Sequence, residues 1–130
     1  MLRRLLVFIP WFLILSGCAT TSDRVEPYAV AAKQAEQYEA SGDYQRAADM
    51  YWLTAEKLRA GEDAVFRIKA AEMAFVAKNY AQTNAILRRV NEKGLSPVET
   101  ARKRLVAARL AVHQNDIAEA RRLLSFPRQG

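Results

Sequence analysis

The spacing of hydrophobic positions divides the chain into a short apolar stretch and a longer body. Residues 5–15 are apolar throughout, whereas from Tyr28 onward apolar residues recur every three or four positions, as at Val65, Ile68 and Ala71. This spacing is typical of helices that bury one face. The body is also rich in Ala, Glu, Lys, Arg, Gln and Leu, which are good helix formers. No segment alternates with period two for long enough to indicate a strand, so the body is predicted to be all-α.

Turn-forming residues divide this body into six predicted helices. The clearest helix start is expected directly after Ser96, whose side chain can cap the amide of the third helical residue. Pro97 suits the first helical position, and Glu99 completes a capping box. The predicted helices cover residues 28–41, 44–60, 63–78, 80–92, 97–114 and 116–126.

A repeat of 36 and 37 residues relates these helices in pairs. In the first helix of each pair, the repeat position is occupied by a small residue: Ala35, Ala71 and Ala108. Twelve residues further on, the second helices carry Ala47, Thr83 and Ala120. Small residues at both positions let paired helices approach closely, and the spacing resembles the tetratricopeptide repeat of about 34 residues. We expect antiparallel helical hairpins stacked as a tetratricopeptide-like solenoid, with generic helical hairpins as the alternative.

The start of the chain has the organisation of a lipoprotein signal peptide. A basic leader precedes the apolar run of 11 residues, which is too short for a helix that spans a bilayer, since spanning takes about 20. The next residues resemble the bacterial lipobox, in which small residues precede the cleavage site and a cysteine thiol accepts the lipid. The resemblance implies that residues 1–17 are removed and that lipid is attached at Cys18. The lipobox residues before it are Leu15, Ser16 and Gly17.

Residues 18–27 are mostly polar and end in a proline, as expected of a lipidated tether. The tether leads into residues 28–130, the predicted tetratricopeptide-like domain of about three helix pairs. Ala19 follows the lipidated cysteine where an aspartate would retain an enteric lipoprotein in the inner membrane. By that similarity we expect a lipid anchor on the periplasmic face of the outer membrane.

Composition excludes several functional classes. A chain of 130 residues that is 51% hydrophobic is expected to form one domain and is not disordered for most of its length. The single cysteine excludes an internal disulfide framework. The single histidine, His113, excludes a histidine pair for a metal and a catalytic triad within one chain, and its place near a helix end suits the helix dipole. We therefore expect no enzyme activity, no cofactor, no metal and no small-molecule substrate.

The net charge is +6 and falls to +4 once Arg3 and Arg4 leave with the signal peptide. Basic clusters at residues 88–89, 102–104 and 121–122 raise a nucleic-acid hypothesis. Acidic residues intersperse these clusters, no aromatic stacking platform accompanies them, and the export signal points away from nucleic acid. We interpret them as solvated helix faces, with contact to anionic envelope lipid or polymer as the alternative.

Helical solenoids usually bind partners through the concave surface that their first helices line. By that resemblance the candidate partner-binding residues are Glu36, Ile68, Glu72, Phe75, Leu105 and Arg109. Simple packing or solvated surface is the alternative at each of these positions.

A lipobox followed directly by such hairpins resembles the amino-terminal region of the LppC/LpoA family, the lipoprotein activators of class A penicillin-binding proteins. The resemblance covers residues 15–20 and 55–127. Within the second segment, residues 68–80 look like one repeat and residues 107–124 like the next. It implies a non-enzymatic scaffold for a peptidoglycan synthase. The family's larger carboxy-terminal domain is absent, so we expect a fragment, a truncated product or an isolated leading domain.

Two other functions remain open at the level of the sequence. One is another repeat lipoprotein, serving as an adaptor in outer-membrane protein assembly or pilus biogenesis. The other, of a different class, is an accessory domain of an envelope enzyme.

Overall fold

The computed structural model describes residues 26–125, and this part of the chain consists of six helices and their connecting loops, with no strand. The helices are α1 (Pro27–Ala40), α2 (Tyr44–Glu56), α3 (Ala64–Val76), α4 (Tyr80–Arg88), α5 (Pro97–His113) and α6 (Ile117–Leu124). The all-α prediction is confirmed. The predicted signal peptide, its lipobox and Cys18 lie outside the described residues.

The largest differences from the predicted helices are at the ends of α2 and α4, which each end four residues early. At the end of α4 the backbone tightens: the N–H groups of Arg89 and Val90 donate to carbonyls three residues earlier. Val90 is buried just beyond the helix. The early end of α4 is therefore accompanied by the packing of an apolar side chain into the core. Helix propensity alone does not reveal such a tertiary contact.

The start of α5 agrees with the sequence. The hydroxyl of Ser96 accepts a hydrogen bond from the Glu99 amide at 3.1 Å, and the Glu99 carboxylate accepts one from the Ser96 amide at 3.2 Å. Both bonds of the predicted capping box are present, because they join residues only three positions apart.

The helices pack as three consecutive hairpins: α1 with α2, α3 with α4, and α5 with α6. Neighbouring hairpins are joined by contacts of α2 with α3, α3 with α5, and α4 with α5. As a result, α3 lies against three other helices, and most of its circumference is covered.

The three hairpin turns share one backbone geometry. A residue with positive φ follows each first helix: Gly42 (80°), Lys78 (62°) and Asn115 (63°). The next residue donates its backbone N–H to the carbonyl five positions earlier and caps the second helix with its side chain; these residues are Asp43, Asn79 and Asp116. This is the Schellman arrangement, which satisfies the last carbonyls of a helix. The sequence repeat therefore has a structural counterpart at every turn.

Replacing Lys78 with glycine is expected to raise the free energy of unfolding by about 0.5–1 kcal/mol. A left-handed conformation costs a residue with a Cβ roughly 1–2 kcal/mol, and the entropy lost by glycine on folding offsets about half of that. Urea denaturation followed by circular dichroism measures the change. The matched control is Gly42→Ala at the equivalent position, where the surrounding space is open, so that only backbone strain opposes the substitution. It should lower stability by about 1 kcal/mol. A loss of stability in Lys78→Gly would contradict the equivalence of the turns.

Small residues form the core where the helices cross. All six repeat positions are buried: Ala35, Ala47, Ala71, Thr83, Ala108 and Ala120. The one polar member, Thr83, donates its hydroxyl to the Asn79 carbonyl at 2.9 Å, so its burial leaves no unsatisfied group. Side chains of this size let the paired helices approach closely, as the repeat predicted.

A polar network joins the beginnings of α2 and α4. The Gln45 amide group donates to Gln82 Oε1 at 2.7 Å, and the Gln82 amide group donates to Asp49 Oδ1 at 2.9 Å. Asn79, which caps α4, also donates to Gln45 Oε1 at 3.2 Å. These hydrogen bonds join the first hairpin to the second. Because hydrogen bonds are directional, they fix the relative orientation of the two hairpins, which apolar contacts alone do not.

A candidate binding groove between α3 and α5

An open groove of about 390 Å³ lies between α3, α5 and the end of α6. Five apolar residues line it: Phe75, Leu105, Ala108, Val112 and Leu124. Two polar side chains, Arg109 and His113, complete the lining. The α5 residues are spaced at three and four positions, so they share one helix face.

A second cavity of about 260 Å³ continues this surface along α3 and α5. It shares Leu105 and Arg109 with the first cavity and extends to Glu72, Val76 and Arg102. We call the two together the α3–α5 groove. Arg109 lies where they meet.

Four of the six predicted surface residues line this groove: Glu72, Phe75, Leu105 and Arg109. Glu36 is exposed on α1, and no cavity described here includes it. Ile68 is different, because only 1% of its surface is exposed. We remove Ile68 from the candidate surface, since α3 is covered on three sides and a side chain in the core cannot contact a partner.

An ion pair crosses the groove between α3 and α5. Arg102 donates two hydrogen bonds to the Glu72 carboxylate, at 2.9 and 2.8 Å. The hydrogen bond to Glu72 raises the pKa of Arg102 above its ordinary value, although partial burial opposes the shift. The charge of Glu72 is thus balanced within the fold. By contrast, the exposed Arg109 forms no hydrogen bond or ion pair with any residue between 26 and 125, so the groove lining that these residues form has one positive charge in excess.

An aromatic cluster lies beside the groove, and two of its members, Phe75 and His113, line the main cavity. The Phe75 ring meets Tyr80 edge-on with 5.5 Å between centroids, and Tyr80 stacks on the His113 ring at 3.6 Å. From the sequence, His113 was predicted only to lie near a helix end. Its stacking on Tyr80 was not predicted, because Tyr80 belongs to a different hairpin. Val112 and Leu124 were also missed, although their apolar character on α5 and α6 was a usable signal.

Next to the groove, the first helices carry an acidic zone. The Tyr51 phenol donates to Glu39 Oε2 at 2.6 Å. Burial, followed by this hydrogen bond and by the charges of Glu39, Glu36 and Glu72, raises the pKa of Tyr51 well above its ordinary value. The phenol therefore stays protonated at neutral pH and continues to donate to Glu39.

Charge is distributed unevenly along the described residues. Residues 26–76 carry nine acidic and six basic side chains, whereas residues 77–125 carry four acidic and ten basic ones. The groove lies at the boundary, and its α5 wall belongs to the basic part.

Comparisons with known proteins find no family model, no curated protein and no solved structure that matches the chain. Between residues 26 and 125, no helix is long and apolar enough to cross a bilayer. In the same part of the chain, no three His, Cys, Asp or Glu side chains come together as metal ligands would. The groove offers apolar contacts, the ion pair of Arg102 with Glu72, the guanidinium of Arg109 and the imidazole of His113, and this chemistry suits binding.

Proposed function

We propose that this protein is an exported, lipid-anchored scaffold that binds another protein at the α3–α5 groove. The observation that carries the proposal is the exposed apolar surface around Arg109: Leu105 is 43% exposed, Val112 54% and Leu124 49%. Isolated exposed apolar residues are ordinary, but a group that lines one groove is typical of an interaction site. The apolar residues would supply contact area, and the charge would orient the partner.

The finer fold assignment, a tetratricopeptide-like solenoid, is part of the proposal. Its support is the turn geometry that recurs after 36 and 37 residues and the buried small residue at each repeat position. The contact between α3 and α5 is also the one expected between the first helices of adjacent units. In such a stack, the first helices α3 and α5 share one surface, and the groove lies on it.

The anchoring part of the proposal depends on the lipobox that ends at Cys18. A tether over residues 18–27 can extend at most about 3.5 Å per residue, which keeps the helical body within a few tens of ångströms of the membrane. Confinement at this distance raises the effective concentration of the groove near an envelope partner, so even weak contacts become effective. The residue after the cysteine, Ala19, favours the outer membrane.

The partner that the LppC/LpoA resemblance favours is a class A penicillin-binding protein. Site-specific photocross-linking in cells tests the proposal: a photoreactive amino acid at Leu105 should yield an adduct with a peptidoglycan synthase, identified by mass spectrometry. The matched control is the same amino acid at Val98, which is 69% exposed but lies outside the groove lining, and it should yield no such adduct.

An adduct with an outer-membrane assembly or pilus component would instead support the adaptor alternative. A folded, lipidated protein that gives no adduct from Leu105, or equal adducts from both positions, would contradict binding at the groove.

A further inference from the structure

The charge inside the groove narrows the kind of ligand that fits. Arg109 lines both cavities and has no counter-ion among residues 26–125, while the carboxylate across from it, Glu72, is held by Arg102. Arg109 itself is exposed; its neighbours in the main cavity are mostly apolar, and in the second cavity they include the ion pair of Glu72 with Arg102. A guanidinium beside mostly apolar neighbours favours a ligand that brings its own carboxylate together with apolar surface, because such a ligand satisfies both features at once.

The size of the groove favours a short segment. Its main cavity of about 390 Å³ is at the lower end of the range of about 300–1,000 Å³ typical of ligand sites, and it is open along its length. The second cavity extends the surface to Glu72 and Val76. An extended chain can therefore pass from one cavity to the other beside Arg109.

On these grounds we propose that the α3–α5 groove binds an extended peptide segment of the partner in which an acidic residue adjoins one or two large apolar residues. The apolar side chains pack between Phe75, Leu105 and Val112, and the carboxylate pairs with Arg109. This inference rests on the proposed function and adds to it the chemistry of the recognised segment.

The basic character of the α5 wall supports an acidic ligand over a basic one. Ten basic and four acidic side chains lie between residues 77 and 125, so the field on the α5 side of the groove, together with the contact at Arg109, favours negative charge, whereas the acidic zone of Glu36 and Glu39 acts against it. A peptide with lysine next to its apolar residues would instead place its ammonium beside the like charge of the exposed Arg109.

Fluorescence anisotropy with two labelled hexapeptides tests this inference on the full chain in detergent. The probes are Gly-Asp-Phe-Leu-Ser-Gly and Gly-Lys-Phe-Leu-Ser-Gly. We expect the aspartate peptide to bind about 5-fold more tightly, the upper end for one exposed ion pair. In Arg109→Glu the preference should reverse in favour of the lysine peptide. The control Arg121→Glu makes the same charge change at an exposed site outside the groove lining and should keep the preference.

The absence of a peptide preference in the parent protein would overturn the inference, and so would three further results. One is an unchanged preference in Arg109→Glu that is folded by circular dichroism. Another is peptide binding only after residues 126–130 are deleted, which would make the chain's own tail the occupant. The third is a dimer in sedimentation that Arg109→Glu dissociates, which would make a second copy the occupant. If a synthase is cross-linked at Leu105 but the protein does not prefer either peptide, only this inference is refuted and the proposed function stands. If the protein prefers the aspartate peptide but gives no cross-link in cells, only the proposed function is refuted.

Discussion

Replacing Ile68 with alanine is expected to lower the free energy of unfolding by about 2–5 kcal/mol. Truncation of a buried isoleucine loses the transfer free energy of its methyl and methylene groups and leaves a cavity that the surroundings fill only partly. Ile68 is 1% exposed on α3, which packs against three other helices, so little collapse into the space is expected. Urea denaturation followed by helical circular dichroism gives the change directly.

Leu105→Ala is the matched control, because it removes a side chain of similar size from a neighbouring helix. Leu105 is 43% exposed, so its truncation should cost less than about 1 kcal/mol. It should weaken ligand binding at the groove, whereas Ile68→Ala should affect binding only through stability. Equal losses of stability in the two variants would show that the assignment of core and surface is wrong.

These two residues also show how far the sequence could predict the site. Both have the helical spacing of an apolar face, and both were assigned to the same candidate surface. Spacing identifies the face of a helix that is apolar, but the number of neighbours that cover this face depends on the whole stack. α3 is in the middle of that stack, so Ile68 is enclosed, while Leu105 on α5 is left partly open.

The helices themselves were predictable because their determinants are local. The capping box of Ser96 and Glu99 joins residues three positions apart, and the helix caps Asp43, Asn79 and Asp116 act on the amides that follow them directly. Their signals are therefore complete within a few residues of sequence.

Contacts between hairpins were not predictable in this way. The stacking of His113 on Tyr80 and the pair of Arg102 with Glu72 each join residues that are at least 30 positions apart. The residue types can be read from the sequence, but their partners cannot. Consequently the sequence could not show that Glu72 is paired with Arg102 or that Arg109 has no counter-ion among residues 26–125.

Replacing Cys18 with serine is expected to abolish palmitate incorporation and to leave residues 1–17 attached to the chain. A serine hydroxyl cannot replace the thiol in thioether formation, and cleavage at a lipobox follows lipid attachment. Each buried lipid CH₂ contributes about 0.8 kcal/mol, so several acyl chains on the cysteine of the parent protein hold it at the membrane almost permanently. Metabolic labelling measures the first effect, and the higher mass of the uncleaved chain measures the second.

Ala19→Asp separates lipid attachment from sorting, because it leaves the thiol and the preceding lipobox residues unchanged. Labelling should therefore persist. If the similarity to enteric lipoproteins holds, the protein should move from the outer to the inner membrane fraction. A parent protein that takes up no palmitate, or a Cys18→Ser variant that is still labelled or cleaved, would contradict the anchor. The groove would then act without confinement at the membrane, and its affinity for a partner would have to come from its own contacts alone.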